Sequence, residues 1–491
     1  MTLRFRVALA TAAAAALTGG LLAATAGQAS ALAKGDFADF NNDGYADVAY
    51  SAGNAYVNGR EGAGQIVVQY GSANGLTTTT KRQTFSQDSA GVAGTAEKHD
   101  GFGWSSAIGD FNADGYDDLA VGASRETLGT DVTAGVVHLF FGSPTGLKGG
   151  AALVDPAPSS HDAWGQALAA GDFDGDGRDD LAVGSDHAKT WIFKGGTTSS
   201  TTFAGRSTVS PPIHSGTVDG RPLGALTIHA GDVTGDQRDD LVIDGFDANN
   251  DGWNANYYFQ GSATGLTGSY QQLTSGIMTG IADINGDTYG DIVTGIEWDS
   301  SGTPDSSDGG KVVVRYGSPS GPQGSQTVSQ NSGNVPGGSE AGDAFGGEVS
   351  LGDINNDGMA DLAIGAWGEN LTNSSGTSIA NSGSVTVLYG SASGLNTSTG
   401  MQFFQQDTTG VPSVGEKDDN FGSEVKLADV TGDGQADLTI GSIGENDFNG
   451  AMTVLKAANG RIGVTGAVLF GPSAVGVSTT GYPVYGGNAA N

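Results

Sequence analysis

The chain has 491 residues, with 54 acidic and 21 basic side chains and a formal net charge of −33. A surface this acidic attracts cations and disfavours nucleic acid and anionic membranes as partners. There is no cysteine, which excludes disulfides as a source of stability, while 84 glycines and 13 prolines are typical of many short strands joined by tight turns.

The first 33 residues have the layout of a secretory signal peptide. Two arginines precede an apolar run over 7–24, and small residues follow up to Ala31 and Ala33. This pattern predicts cleavage near Ala31 or Ala33, and an uncleaved membrane anchor is the alternative. No second run is long and apolar enough to span a membrane. The mature protein is therefore expected outside the cell, either released or attached to the cell wall.

The rest of the chain, residues 34–491, is organised by a nine-residue pattern, Asp-x-(Asn/Asp/Thr)-x-Asp-x-x-x-Asp, that occurs seven times, with glycine at position 6 in five of the copies. An apolar strand, an alternating strand, a Gly-Ser turn and a fourth strand follow the pattern. Fourth strands are expected at 81–87, 326–330 and 401–406. Four short strands per unit, repeated about every 65 residues, predict an all-β, seven-bladed β-propeller with four-stranded antiparallel blades.

An aromatic-Gly pair precedes the pattern by eight residues in four of the units, beginning at Phe102, Trp164, Phe345 and Phe421. The first unit has no such pair. The C-terminal segment Tyr485-Gly486-Gly487 has the same character, so we expect the tail to join blade 1 and close the ring. A frayed tail is the alternative.

The seven patterns are rich in the hard oxygen ligands that calcium prefers. Carboxylates at positions 1, 3 and 5 of a tight loop converge, and position 9 can complete the shell. The predicted ligands are Asp39, Asn41, Asp43 and Asp47; Asp110, Asn112, Asp114 and Asp118; Asp172, Asp174, Asp176 and Asp180; Asp232, Thr234, Asp236 and Asp240; Asp283, Asn285, Asp287 and Asp291; Asp353, Asn355, Asp357 and Asp361; and Asp429, Thr431, Asp433 and Asp437.

The alternative is a plain Asp-Gly hairpin turn, which needs no metal. Such a turn does not require further oxygens at fixed offsets, which favours Ca²⁺, in about five to seven sites. Gln237 and Thr288 replace the glycine of position 6 in the fourth and fifth loops. Because side chains disfavour a positive φ there, these two loops are expected to be the weakest sites.

Successive loops of an up-and-down blade alternate between the two faces of the ring. The aspartate loops and the Gly-Ser turns therefore share one face, and the long segments between blades share the other. The candidates for ligand contact on that second face are Glu97, Trp298, Glu340, Trp367 and Glu416. Burial of the two tryptophans between blades is the alternative, since tryptophan is mostly buried.

The segment 345–366 closely resembles an FG-GAP repeat, and 102–123 matches almost as well. The FG-GAP repeat is the blade unit of the propeller in integrin α-chains and in related bacterial secreted proteins. The resemblance implies a seven-bladed ring, calcium between the first and second strands of a blade, and ligand recognition on the opposite face. The departures are the missing pair in blade 1, the shifted Leu223-Gly224 in blade 4, and the absence of a pair in blade 5.

No hydrolase motif is present, and the six histidines are scattered, so packed or solvated histidines are the better interpretation. Two functions remain, beside a third possibility, a purely structural, calcium-dependent envelope protein. The first is a calcium-binding scaffold for adhesion or for binding an extracellular protein or glycan, predicted to be a monomer without catalytic residues. The second is a polysaccharide-active enzyme, a lyase or hydrolase, because propellers host both kinds of function.

Overall fold

The computed structural model describes most of the chain that follows the predicted signal peptide, and that peptide lies outside the described residues. The described ranges are 38–196, 203–218, 221–249, 253–300, 305–372 and 376–490. Within them, no helix has the length and apolar character that crossing a membrane would require.

Seven antiparallel sheets follow one another along the chain, one for each aspartate pattern, which confirms the predicted seven-bladed propeller. Blades 1 to 4 contain β1 (Val48–Ala52), β2 (Gln65–Gln69) and β3 (Arg82–Phe85); β4 (Ser105–Gly109), β5 (Asp118–Ala123), β6 (Val136–Phe141) and β7 (Lys148–Leu153); β8 (Leu168–Gly171), β9 (Asp180–Val183), β10 (Thr190–Lys194) and β11 (Gly205–Val209); and β14 (Thr227–Gly231), β15 (Asp240–Phe246), β16 (Asn254–Phe259) and β17 (Tyr270–Gln272).

Blades 5 to 7 have the same order of strands. They contain β18 (Met278–Ala282), β19 (Asp291–Ile296), β20 (Lys311–Tyr316) and β21 (Gln323–Val328); β22 (Phe345–Gly352), β23 (Asp361–Ala366), β26 (Ser384–Leu388) and β27 (Gln402–Phe404); and β28 (Phe421–Ala428), β29 (Asp437–Ser442), β30 (Ala451–Leu455) and β33 (Val468–Phe470). The connecting loops hold the pairs β12 (Thr217–Val218) with β13 (Arg221–Pro222), β24 (Leu371–Thr372) with β25 (Ser378–Ile379), and β31 (Ala457–Ala458) with β32 (Arg461–Ile462), the helical segment α1 (Glu445–Phe448), and a 3₁₀ turn (Pro472–Val475).

The first strands of neighbouring blades pack against one another around the ring, so they are the innermost strands. The second strands, such as β5 and β23, are buried along their whole length, and the outer strands β11 and β17 are mostly exposed. This explains why the second strands have continuous apolar sequences, since neighbouring blades cover both of their sides.

The aromatic-Gly pair of one blade contacts the glycine at the next-to-last position of the second strand of the preceding blade. A Cβ atom on Gly365 would lie 2.0 Å from the carbonyl oxygen of Gly422 in the next blade, and Gly122 has the same relation to Gly165 at 2.2 Å. Backbones this close leave no room for a side chain. The repeated glycines are therefore required by the approach of one blade to the next.

The C-terminal tail closes the ring, as the sequence predicts. Tyr485 is fully buried in the core shared with blade 1. The N–H of Gly486 donates to the carbonyl of Ser51 at 3.0 Å, and the N–H of Ser51 donates to the carbonyl of Asn488 at 2.8 Å. The tail thus pairs with β1 and supplies the first strand that blade 1 lacks.

The three fourth strands predicted from the sequence have different bounds in the structure. The observed strands are β3, β21 and β27, which end before Gln87, Gln330 and Gln406. These three glutamines lie past the strand ends because their side-chain amides bond to a glutamate of the next blade.

Candidate metal loops and binding face

In blades 2 to 7, each aspartate loop joins the first strand of the blade to the second, and in blade 1 the loop directly precedes β1. The position 1 carboxylate of each loop folds back and accepts the backbone N–H groups of positions 5 and 6. In blade 6, Asp353 accepts from Asp357 at 3.2 Å and from Gly358 at 2.8 Å. The same two hydrogen bonds occur in all seven loops, at distances between 2.7 and 3.2 Å. The pattern therefore specifies one loop shape, used seven times.

Position 6 has a positive φ in the glycine-containing loops and also where glycine is replaced. The φ angle is 85° at Gly358, 64° at Gln237 and 75° at Thr288. The N–H groups of Gln237 and Thr288 donate to the position 1 aspartates of their loops as the glycine does. The fourth and fifth loops thus keep the common shape at a cost in backbone strain. Their weaker calcium binding stays a prediction.

Position 9 has a structural role that the sequence prediction did not include. Asp361 is fully buried, and its carboxylate accepts the N–H of Ile354 at 3.0 Å and the N–H of Gly390 at 2.9 Å. Gly390 belongs to the Gly-Ser turn of the same blade. An equivalent bond joins position 9 to the turn between the third and fourth strands, or to β31 in blade 7, in all seven blades.

The position 9 carboxyl groups have raised pKa values. Burial, the largest cause, together with the negative charges of positions 1 and 5, raises the pKa to about 8 at Asp47 and Asp118, about 7 at Asp361 and about 6 at Asp437. Ionised loops are therefore unfavourable unless a proton or a cation compensates the charge.

Position 3 offers oxygen atoms that have no partner within the protein. The side-chain oxygens of Asn41, Asn112 and Thr234 are buried and accept no hydrogen bond among the described residues. Leaving such an acceptor unsatisfied costs about 1–3 kcal/mol. Amide, hydroxyl and carboxylate oxygens are the ligands that Ca²⁺ takes. The oxygen atoms at positions 1, 3 and 5 are of the kind that suits a calcium ion, and among the described loops the third brings three carboxylate oxygens within 4.8 Å of one another. Calcium binding by the loops stays a prediction.

The third loop contains a cation of its own. One carboxylate oxygen from each of Asp172, Asp174 and Asp176 lies within 4.8 Å of the others. The ammonium group of Lys194 contacts Asp174 and lies 3.1 Å from Asp176. These carboxylates raise the pKa of Lys194 to about 12. Lysine thus competes with any metal at the loop that has the most carboxylates.

Neighbouring loops are linked around the ring. The N–H of position 8 donates to the position 1 carbonyl of the preceding blade, as from Ala360 to Asp283 at 2.8 Å, and this bond occurs at six blade junctions. It also crosses the point of closure, where Ala46 donates to Asp429 at 3.0 Å. The loops therefore form a connected rim on one face.

The five residues predicted to contact a ligand lie on the opposite face. Glu97, Glu340 and Glu416 are exposed, while Trp298 and Trp367 are half-buried. The indole N–H of Trp367 donates to a neighbouring glutamate at 3.1 Å. The tryptophans are thus partly used in packing, and the glutamates are available to solvent.

Three of the six histidines are packed, as predicted. His138 and His229 are enclosed, and burial lowers the pKa of each to about 4. His161 stacks on Trp164 with the ring centroids 5.4 Å apart.

A cleft of about 880 Å³ lies on the face opposite the aspartate loops, between blade 7 and the closing tail. Phe448 and Tyr482 line it and are 44% and 61% exposed. Asn54, Asp447, Asn449, Thr479, Gly481 and Val484 complete the lining. The sequence analysis did not identify this cleft.

The backbone around the cleft is strained. Asn446, Asp447 and Phe448 are successive residues with φ of 54°, 60° and 61°, and Tyr482 and Val484 also have positive φ. Non-glycine residues in this conformation are uncommon, and they cluster where a surface holds a ligand. Such a run of left-handed residues carries no simple sequence signal, which is why the cleft was missed.

Similarity to known proteins supports the repeat that the sequence predicts. The family model for the FG-GAP repeat matches residues 32–68, 102–140, 164–209 and 345–388, in blades 1, 2, 3 and 6. Phosphatidylinositol-glycan-specific phospholipase D of Rattus norvegicus is 33% identical over 152 residues, which are 31% of this chain and 18% of that protein. Integrin alpha-PS5 of Drosophila melanogaster is 40% identical over 91 residues, which are 17% of this chain and 8% of the integrin chain.

The chain spans less than a fifth of the length of these relatives. Among solved structures, the Dos1 propeller aligns with 88% of this chain and 85% of its own, at a TM-score of 0.38 and 10% identity. The chain is therefore a seven-bladed β-propeller in which four blades match the FG-GAP repeat, and it is similar in part to integrin alpha chains.

Proposed function

We propose that this protein is a secreted, calcium-binding β-propeller that acts as an extracellular binding scaffold. Its ligand, a glycan or a protein, would bind on the face opposite the aspartate loops. The observation that carries this proposal is the cleft with two exposed aromatic rings beside the closing tail. The signal-peptide pattern of the first 33 residues supports secretion.

The chemistry of the cleft suits recognition better than reaction. Phe448 and Tyr482 offer apolar ring faces, and Asn54 and Asn449 add amide groups that can both donate and accept. Ligand sites combine such apolar area with a few polar groups, in volumes of about 300–1,000 Å³. Tyrosine is also enriched among the residues that dominate protein interfaces.

Calcium would have a structural part in this function. The loops lie on the face away from the cleft, and their unpartnered oxygens and raised carboxyl pKa values favour a bound cation. Neutralising the rim would hold the blades in register, and the loops of the opposite face would then keep their relative positions. Removing calcium should therefore weaken ligand binding indirectly.

The proposal is tested by binding of the mature protein to arrays of glycans and cell-surface proteins, in calcium and in chelator. Tyr482→Ala and Phe448→Ala should each reduce binding about tenfold or more, because they remove the aromatic surface. Tyr270→Ala is the matched control, since Tyr270 is 48% exposed on an outer strand of blade 4. Equal binding by all three variants and the wild type would contradict the cleft assignment.

The alternative function, a polysaccharide-active enzyme, makes a different prediction. Glycoside hydrolysis ordinarily requires two carboxyl groups on either side of the bond. Among the described residues that line the cleft, Asp447 is the one carboxylic acid. Release of reducing ends or unsaturated sugars from a bound polysaccharide would show that the enzymatic interpretation is the right one.

A further inference from the structure

A group of polar side chains occupies the junction between blades 5 and 6, on the face opposite the aspartate loops. Gln330 follows the last strand of blade 5, Glu340 and Asp343 lie in the long segment that follows, and Glu369 comes after the second strand of blade 6. We call these four residues the junction cluster. None of them belongs to the cleft or to an aspartate loop.

The cluster is held together by hydrogen bonds. The side-chain amide of Gln330 donates to the Glu369 carboxylate, and the backbone N–H of Glu340 donates to Asp343 at 2.7 Å. Because Gln330 belongs to one blade and Glu369 to the next, these bonds cross the junction. The long segment is thereby fixed against both blades.

Two oxygen atoms of the cluster have no partner among the described residues. The Gln330 side chain is 3% exposed and Asp343 is fully buried. Gln330 Oε1 and Asp343 Oδ1 are both enclosed, and neither accepts a hydrogen bond. Because Gln330 Nε2 bonds to Glu369, the unpartnered oxygen of the same amide group lies beside the Glu369 carboxylate. Buried acceptors of this kind normally have a donor or a cation.

The carboxylates of the cluster lie very close together. One oxygen from each of Glu340, Asp343 and Glu369 lies within 4.8 Å of the other two. Within the described part of the chain, no ion pair joins any of them to a lysine, arginine or histidine. Asp343 and Glu369 are buried, and Glu340 is exposed, so the group is open to solvent on one side.

At two other junctions, a glutamine also bonds to a glutamate of the next blade, but the groups around this bond differ. Between blades 6 and 7, Gln406 donates to Glu445 at 2.6 Å, and the hydroxyl of Ser413 adds a hydrogen bond to Glu445 at 3.2 Å. The residue equivalent to Ser413 in the junction cluster is Gly337, seven positions after the glutamine in both cases. The junction between blades 6 and 7 therefore has a donor that the cluster between blades 5 and 6 lacks.

The junction between blades 1 and 2 has the same amide bond. Gln87 donates to Glu126 at 2.7 Å, as Gln330 does to Glu369, and Asp100 is the counterpart of Asp343. Neither of these two junctions brings three carboxylate oxygens as close together, within the described residues, as the one between blades 5 and 6. The junction cluster is thus distinguished from its two copies by the close approach of three carboxylates, while the amide oxygens of Gln87 and Gln406 are unpartnered just as that of Gln330 is.

We propose that the junction cluster binds a divalent cation of the calcium type through Glu340, Asp343, Glu369 and the amide oxygen of Gln330. Three carboxylates and one amide oxygen are a hard-oxygen ligand set, and water on the side of Glu340 can complete the six to eight ligands that calcium takes. The ion would join the long segment to two adjacent blades. It would act as a clamp on the face that carries the cleft.

The test counts calcium ions bound per chain by equilibrium dialysis of the full mature protein. Glu369→Gln preserves the size of the side chain and should bind one ion fewer than the wild type. Glu445→Gln makes the same change in the junction between blades 6 and 7 and should bind the wild-type number. The aspartate loops are identical in all three proteins, so the difference does not depend on how many loops bind calcium.

A second pair of variants distinguishes the loss of a calcium ligand from a folding defect. Glu340→Gln alters an exposed residue and should raise the calcium dissociation constant of this one site about tenfold, which is a loss of about 1.4 kcal/mol. Glu416→Gln is the matched control between blades 6 and 7. If Glu340→Gln and Glu369→Gln, with melting curves showing folded protein, bind as many ions as the wild type with unchanged affinity, the cluster shares a proton and the proposal is wrong.

Discussion

The position 1 aspartate of each loop performs two tasks with one carboxylate. In blade 6, Asp353 accepts two backbone N–H groups that shape the loop, and it is also a predicted calcium ligand. The first task needs oxygen atoms that accept hydrogen bonds, whereas the second needs negative charge. An asparagine at this position keeps one oxygen and loses the charge, so the two tasks can be separated.

We expect Asp353→Asn to reduce the stabilisation that calcium gives to the protein. A site saturated to a hundred times its dissociation constant adds about 2.7 kcal/mol, and the variant should lose up to about that amount. The measurement is the thermal unfolding midpoint in calcium and in EDTA.

The control for this experiment is Asp131→Asn, which makes the same charge change in the loop between β5 and β6, on the opposite face. It should leave the calcium-induced shift unchanged. A shift in Asp353→Asn equal to that of the wild type would show that the sixth loop is a turn without a metal.

At the scale of the element, the closing tail is the strand that we expect to detach from its blade most easily, because no covalent link holds it to blade 1. Its contacts are the buried side chain of Tyr485, whose hydroxyl oxygen accepts a hydrogen bond from the side-chain amide of Gln69 at 2.9 Å, and the backbone pairing with β1. Blade 1 would otherwise have three strands, and its inner surface would be open to water.

We expect Tyr485→Ala to destabilise the protein by about 3–5 kcal/mol, the usual cost of removing a buried aromatic ring. Tyr482→Ala lies three residues away on the same tail, is 61% exposed, and should change stability by less than about 0.5 kcal/mol. Urea unfolding followed by tryptophan fluorescence measures both. Equal midpoints for the two variants would mean that the tail does not contribute the closing strand.

The elements that repeat could be predicted from the sequence, and those that occur once could not. The spacing of the aspartates and the pair Tyr485-Gly486 identify the blades and the closure, because each has several copies to compare. The left-handed run at Asn446 has no copy. The bond from Gln330 to Glu369 is an exception, because it has two copies. It joins residues 39 positions apart that meet only when neighbouring blades are side by side, so the contact could not be predicted from the sequence.

At the scale of the whole molecule, the aspartate loops act together. The hydrogen bonds from position 8 to the preceding loop connect the rim, so that the charge of one loop affects its neighbours. The carboxyl groups of Asp117 and Asp239 lie between successive loops, and burial raises their pKa values to about 6 and about 7. Protons and cations are therefore alternative means of neutralising the same rim.

This competition gives a prediction about pH. A carboxyl group whose pKa is higher in the folded state than in the unfolded state binds protons more tightly when folded, so its contribution to stability is complete below the unfolded pKa and is lost as pH rises through the folded pKa. Asp47 and Asp118, at about 8, and Asp361, at about 7, have ordinary values of 3.8. In EDTA, the free energy of unfolding should fall between about pH 4 and pH 8.

In calcium, the cation takes the place of these protons, so stability should fall much less over the same range, and the two curves should converge at low pH, where protonation displaces the metal. The measurement is the unfolding midpoint at each pH, with magnesium at equal ionic strength as the control for general screening. Magnesium should restore less stability than calcium, because it demands a more rigid octahedral shell. Parallel curves in EDTA and calcium would mean that the rim is stabilised by its hydrogen bonds alone, without a bound cation.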